Sequence, residues 1–381
     1  MPAPRLSIES AFDSGNIRVV GQDGPVFDLV INRDAGGEFF QWFHFRLSGA
    51  RGLPVTLRIA GLNKSAYPLG WPGYRARVSE DRQNWRAADT QFDRQAADGT
   101  LTIQVTPAAD HLWCAYFAPY AMERHHDLVA RIACAPDVRA RVLGHTLEGQ
   151  PIDCLELGEG RLPIWIYARQ HPGETMAEWF VEGALEALVD PGFAPARRLR
   201  AAARLHVVPN MNPDGSRRGY LRTNAAGANL NREWANPTAE RSPEVLAVRN
   251  AMDETGVAFA LDVHGDEALP HNFIAGFEGV PGVPARNLLL LERYKRLFAA
   301  MSPAFQTRVG YPVAAPGKAN LAMSTNQLAH RFGCVAATLE MPFKDCDEQP
   351  MPETQWSPMR SKALARDALA ALAELVDDLP A

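Results

Sequence analysis

His171-Pro172-Gly173-Glu174 sets an imidazole and a carboxylate three positions apart, immediately after Leu162–Tyr167. That preceding run (LPIWIY) is apolar and rich in Ile, Trp and Tyr, and it predicts a buried strand. A second apolar run, Val257–Leu261, leads into Asp262-Val263-His264-Gly265. Two histidines and a glutamate at the exits of two buried strands suit a catalytic zinc, which takes three protein ligands and keeps one position for water. In open α/β sheets, sites form beyond the carboxyl ends of the strands, where both histidines fall. Asp262 is placed to hold an imidazole in the tautomer a metal needs. His206, inside the apolar strand Leu205–Pro209, is expected to be a satisfied structural histidine. His125, His126, His145 and His330 lack this strand-exit context.

Asn212-Pro213-Asp214-Gly215 follows that third strand and is succeeded by Arg222-Thr223-Asn224 and Asn229-Leu230-Asn231-Arg232. NPDG alone signals only a turn. Arg222 and Arg232 are either solvated loop residues or recognition groups. A guanidinium can grip a carboxylate bidentately or stabilise an oxyanion. Glu340 ends the apolar run Cys334–Leu339, where a carboxylate is costly to bury unless it is paired or functional. It is either half of a buried ion pair or a general base and later proton donor beside an activated water.

Residues 1–122 are expected to form an antiparallel β-sandwich, because short alternating or aromatic-rich segments recur between turn formers such as DSGN, QDGP and ADGT. The segments are Ile17–Val20, Phe27–Ile31, Phe39–Leu47, Val55–Ile59, Tyr74–Val78, Leu101–Val105 and Trp113–Phe117. No residue set in this part has metal or nucleophile spacing. Residues 123–381 alternate strands with helical segments, predicting an α/β domain with a mixed, mostly parallel sheet flanked by helices. Helices are expected over Thr175–Val189, from Ser242-Pro243-Glu244 with Ser242 as N-cap, over Pro284–Met301, and from Ser357-Pro358. The net charge of -5 argues against nucleic-acid or anionic-membrane partners. Neither a signal-peptide core nor a membrane-length apolar run is seen, so a cytoplasmic location is expected. The five cysteines are scattered without a CxxC pair, as in a reduced protein lacking a thiolate zinc site.

The ordered set His171-x-x-Glu174, Asn212-Pro-Asp-Gly, Arg222-x-Asn, Asn231-Arg232, His264 and Glu340 resembles the zinc carboxypeptidases of the carboxypeptidase A superfamily. The N-terminal segments FDSGN (12–16), QWFHFR (41–46) and YFAPY (116–120) resemble its cytosolic carboxypeptidase branch. The resemblance implies one Zn2+ held by His171, Glu174 and His264. It implies that Asn231 and Arg232 clamp the substrate's terminal carboxylate, that Arg222 polarises the scissile carbonyl, and that Glu340 is the general base. The substrates would be C-terminal tails of peptides or proteins. His264-Gly265-Asp266-Glu267 departs from the His-Gly-His of eukaryotic members and is similar to bacterial ones. The family's substrate-binding tyrosine lies roughly twenty residues before the general base; here Tyr311 is 29 positions upstream, and the role stays unassigned.

The branch is associated with removal of C-terminal glutamate, which needs a cation in the side-chain pocket, and Arg308 and Lys318 are the candidates. Two other readings remain open. A zinc amidohydrolase similar to aspartoacylase would deacylate N-acyl amino acids with the same HxxE and Asn-Arg pair. A catalytically dead binding module would keep only the fold. The β domain is expected to shape the rim of the cleft.

Overall fold

The computed structural model describes residues 6–380. The N-terminal β domain is built from β1 (Ser7–Glu9), β2 (Arg18–Asp23), β3 (Val26–Val30), β4 (His44–Ser48) and β5 (Val55–Ile59). It continues with β6 (Arg77–Ser79), β7 (Arg86–Ala87), β8 (Asp89–Asp93), β9 (Thr100–Val105) and β10 (His111–Ala115). These strands form two five-stranded sheets, ordered β1-β4-β10-β6-β7 and β2-β3-β5-β9-β8. Alternation drives the packing: Phe27 and Leu29 of β3, Leu57 and Ile59 of β5, and Leu101 and Ile103 of β9 turn inward and are buried. One pair, β3 with β5, is parallel, so the sandwich is not wholly antiparallel. Phe39–Phe43, expected to be strand, is non-repetitive. It is held to a neighbouring loop through Gln41, whose side chain bonds both backbone groups of Tyr67.

The second domain holds β11 (Val138–His145), β12 (Pro151–Leu157), β13 (Leu162–Ala168), β14 (Ala203–Val208), β15 (Phe259–Asp266), β16 (Phe273–Ala275) and β17 (Val335–Pro342). Their order is β11-β12-β14-β13-β15-β17-β16. The four central strands β14, β13, β15 and β17 run parallel, and the flanking pairs are antiparallel. β13, β15 and β17 are almost continuously buried, as strands covered on both faces must be.

The covering helices are α1 (Met122–Ala133), α2 (Thr175–Val189), α3 (Ala194–Ala202), α4 (Pro213–Arg218), α5 (Pro243–Thr255), α6 (Ala285–Met301), α7 (Ser324–Phe332) and α8 (Pro358–Leu375). α2 is buried nearly all round and packs on α8 and the sheet. NPDG is more than a turn: Asn212 caps α4, its side-chain oxygen accepting from the Gly215 amide at 3.0 Å. Ser242 does precede α5, but its buried hydroxyl makes no capping bond. His206 is buried in β14 and stacks on Trp165 with ring centroids 4.5 Å apart, yet neither ring nitrogen has a hydrogen-bond partner. Its polar contact is a looser one, with Nδ1 3.5 Å from the Glu156 carboxylate. No described helix is long and apolar enough to cross a membrane.

Candidate active site

β15 and β17 extend further than their apolar cores, so His264 and Glu340 sit on the strands themselves rather than in the turns beyond. The parallel register sets these two residues directly opposite each other. His171 and Glu174 lie in the turn between β13 and α2. That turn starts at Arg169, whose left-handed backbone (φ 62°) redirects the chain out of the strand. The Arg169 guanidinium braces it, donating to the carbonyls of Tyr120 (2.7 Å) and Pro172 (3.0 Å) and to the carboxylate of Glu178 (2.6 Å). Gly173 is required by a close approach: its amide donates to Leu221 O at 2.8 Å, and a Cβ there would stand 2.9 Å from that oxygen.

His171, Glu174 and His264 are all buried and offer metal-binding atoms that converge on one point. Glu174 Oε1 is 2.7 Å from His171 Nδ1, Glu174 Oε2 is 2.8 Å from His264 Nδ1, and the two Nδ1 atoms are 3.1 Å apart. Both Nε2 atoms are already engaged. His171 Nε2 lies 3.0 Å from Asn229 Oδ1, and His264 Nε2 lies 3.0 Å from Asp262 Oδ1. With a metal bound, protons at Nε2 would leave both Nδ1 lone pairs to the ion, the tautomers a metal requires. Asp262 is fixed in turn by Gln170 Nε2 (2.7 Å) and Ser324 Oγ (2.6 Å). Burial and the nearby Arg222 push the His171 pKa down to about 4. Burial also disfavours a charged His264, but Asp262 and Glu174 outweigh it and push its pKa well above the usual value. Two imidazoles and a carboxylate facing one point fit a single divalent ion.

Arg222 is mostly buried beside this cluster, with Nη1 4.0 Å from Glu174 Oε1. Two rings of the β domain wall its guanidinium, Tyr67 at 5.2 Å and Phe39 at 5.8 Å. Arg222, Arg232, Asn229, Phe39 and Tyr67 line one cavity of about 430 Å3. Arg232 is exposed at its mouth and has no acidic partner among the described residues; Nη1 donates to the Asn231 carbonyl at 2.6 Å. Asn231 is held through Oδ1 by the Ser324 amide (2.9 Å), with Nδ2 3.5 Å from His264 Nε2.

Glu340 is buried, and its Oε2 has no hydrogen-bond partner. Burial raises its pKa well above the usual carboxylate range, against the pull of His264 and with the help of Glu174. Glu267, likewise buried with an unpartnered Oε1, is raised by burial and by Glu174. Arg308 and Lys318 stand apart from the cluster and line a cavity of about 540 Å3 that also includes Phe273, whose backbone pairs with Glu340. Tyr311 lines the same cavity and donates to Asp266 Oδ2 at 2.6 Å.

Residues 128–355 match the family model of zinc carboxypeptidases, and residues 8–117 match the cytosolic carboxypeptidase N-terminal domain. The chain belongs to the zinc carboxypeptidases. A metallo-carboxypeptidase from Pseudomonas aeruginosa, solved in complex with (2-guanidinoethylmercapto)succinic acid, is 44% identical and superposes with a TM-score of 0.94, covering 98% of this chain and 99% of that one. A metallo-carboxypeptidase from Burkholderia cenocepacia is also 44% identical, with a TM-score of 0.93 over 98% of this chain and 100% of that one. Human cytosolic carboxypeptidase 4 is 30% identical over 71% of this chain, which spans 29% of that longer protein. The enzyme is thus a metallocarboxypeptidase with both the zinc domain and the front β domain of the cytosolic branch.

Phe39 and Tyr67 of the β domain lie outside the motifs, while Asn229, Glu267 and Tyr311 were in view but carried no assigned role. Asn229 opens the stretch Asn229-Leu230-Asn231-Arg232, and its side chain faces His171 Nε2 at 3.0 Å. The β-domain residues carry no sequence signal, because only the docking of the two domains brings them to the site.

Proposed function

We propose that the enzyme removes single residues from the C-termini of peptides or protein tails. His171, Glu174 and His264 hold one zinc, Arg222 and Glu340 are catalytic, and Asn231 with Arg232 receives the terminal carboxylate. A zinc ion held there supplies Lewis acidity toward a water molecule and the scissile carbonyl. Glu340, buried with one free oxygen and a raised pKa, takes a proton from the attacking water and passes it to the leaving amine. Arg222, preset beside Glu174, donates to the developing oxyanion. Arg232 keeps Nε and Nη2 unpartnered and accepts the carboxylate side-on. The observation carrying this reading is the convergence of two Nδ1 atoms and a carboxylate, both imidazoles already oriented through Nε2, beside an arginine without an acidic partner.

For specificity, the cavity containing Arg308, Lys318 and Lys295 against the single carboxylate of Glu278 favours an acidic C-terminal side chain. Lys295 and Glu278 face each other at 3.5 Å, which leaves Arg308 and Lys318 uncompensated. One observation favours the opposite preference, since the P. aeruginosa enzyme was solved with a ligand carrying a guanidinium. A panel of blocked peptides ending in Glu, Lys or Ala, each also as its C-terminal amide, tests both levels. Release of free C-terminal residues with little turnover of the amides is the expected result. A tenfold advantage for Glu supports the acidic pocket, and an advantage for Lys rejects it. Deacylation of N-acetylaspartate without peptide cleavage would replace the peptidase reading by an amidohydrolase.

A further inference from the structure

The β domain reaches the site at one more place. Asp34 lies in the turn after β3, where its amide donates to Phe39 O at 2.9 Å. Its carboxylate crosses to the other domain and accepts from three successive amides: Leu221 at Oδ1 (2.8 Å), and Arg222 (2.7 Å) and Thr223 (3.0 Å) at Oδ2. Asp34 is 4% exposed and has no cationic partner among the described residues. Successive amides form a concavity that binds an anion, and here the anion is a side chain of the other domain. Residues 219–228 lie in neither helix nor strand, so these amides have no ladder to join. The segment is pinned from the opposite side by the Gly173 amide on Leu221 O. Further along, Gly227 (φ 74°) passes so close to the Asp34 turn that a Cβ would stand 2.8 Å from Ala35 O. The backbone carrying Arg222 is thus gripped between the metal-binding turn and the β domain.

We propose that Asp34 is a positioning residue: its carboxylate fixes the backbone from which Arg222 reaches the scissile carbonyl. The β domain is then an integral part of the active site and not an appendage. The inference rests on the role proposed above for Arg222. Burial pushes the Asp34 pKa up to about 6 even with these bonds, so the charge is held at a cost that the positioned loop explains.

Asp34→Asn keeps the volume but turns one acceptor oxygen into a donor facing amide donors. Removing an oxyanion donor outright costs about 10²–10³ in kcat. Asp34→Asn should cost a fraction of that, roughly tenfold in kcat, with KM and zinc content little changed. In an Arg222→Gln background the same change should cost less than twofold, because there is no guanidinium left to position. An equal tenfold loss in both backgrounds, or none in the parent, overturns the proposal. Full turnover by Arg222→Gln alone overturns the role of Arg222 itself. Should Asp34→Asn not fold, hydrogen exchange on the unaltered enzyme decides. The amides of Leu221–Thr223 are expected to be strongly protected, and exchange at the rate of an open loop contradicts the clamp.

Discussion

Arg232→Gln is the perturbation whose size follows most directly from the geometry. One guanidinium nitrogen is occupied by the Asn231 carbonyl at 2.6 Å, leaving Nε and Nη2 for a carboxylate. Hydrogen bonds to charged groups contribute about 1.5–3 kcal/mol. Arg232 stands at the exposed mouth of its cavity, so solvent screening holds the loss within that range rather than above it. The corresponding fall in kcat/KM is roughly 10- to 150-fold, at about 1.4 kcal/mol per factor of ten. It should fall mainly on KM, because the terminal carboxylate is bound equally in ground and transition states. The assay compares initial rates on a blocked dipeptide and on its C-terminal amide. The variant should lose on the free acid while the weak amide turnover stays within about twofold. An equal loss on both substrates, or none on the acid, would refute the placement of the carboxylate at Arg232.

Glu340→Gln should lower kcat by about 10²–10⁴ while zinc content and melting temperature hold, since the unpartnered Oε2 of Glu340 loses no bond; titration of metal, melting curves and steady-state rates on one preparation check this. His125 is buried between Glu178 (2.7 Å) and Asp153 (3.3 Å), beneath the Arg169 brace. Burial opposes its charge, yet these carboxylates raise its pKa from 6.5 to about 9. Its stabilising contribution is therefore complete below about pH 6.5 and is lost as pH rises through 9, roughly 3 kcal/mol in all. Urea unfolding of the parent minus that of His125→Gln, from pH 6 to 10, should trace that loss, and a pH-independent difference would refute it.

The residues proposed to hold the metal were legible because their signal is local. An apolar run predicts a strand, and a polar residue at its end falls on the face where ligands bind. The same logic singled out Glu340 at the end of its apolar run, and β15 and β17 run on past His264 and Glu340, since Asp262 and His264 interrupt the apolar pattern without ending β15. Signals of special backbone were missed. Nothing in the residue type of Arg169 announces a left-handed conformation, and Ser242 looks like a cap yet makes no capping bond. The contributions of Asp34, Phe39 and Tyr67 depend on docking between domains, a long-range event that periodicity does not encode. Tyr311 stayed unassigned by spacing, but the structure brings its hydroxyl to Asp266, two residues beyond His264.

Metal stoichiometry in ligand variants tests the central claim most directly. Elemental analysis of the purified enzyme should give about one zinc per chain. His264→Ala and Glu174→Gln should each bring it close to zero and abolish release of C-terminal residues, with the far-ultraviolet spectrum retained. Folded variants that keep both the full zinc content and the turnover of the parent would contradict the account.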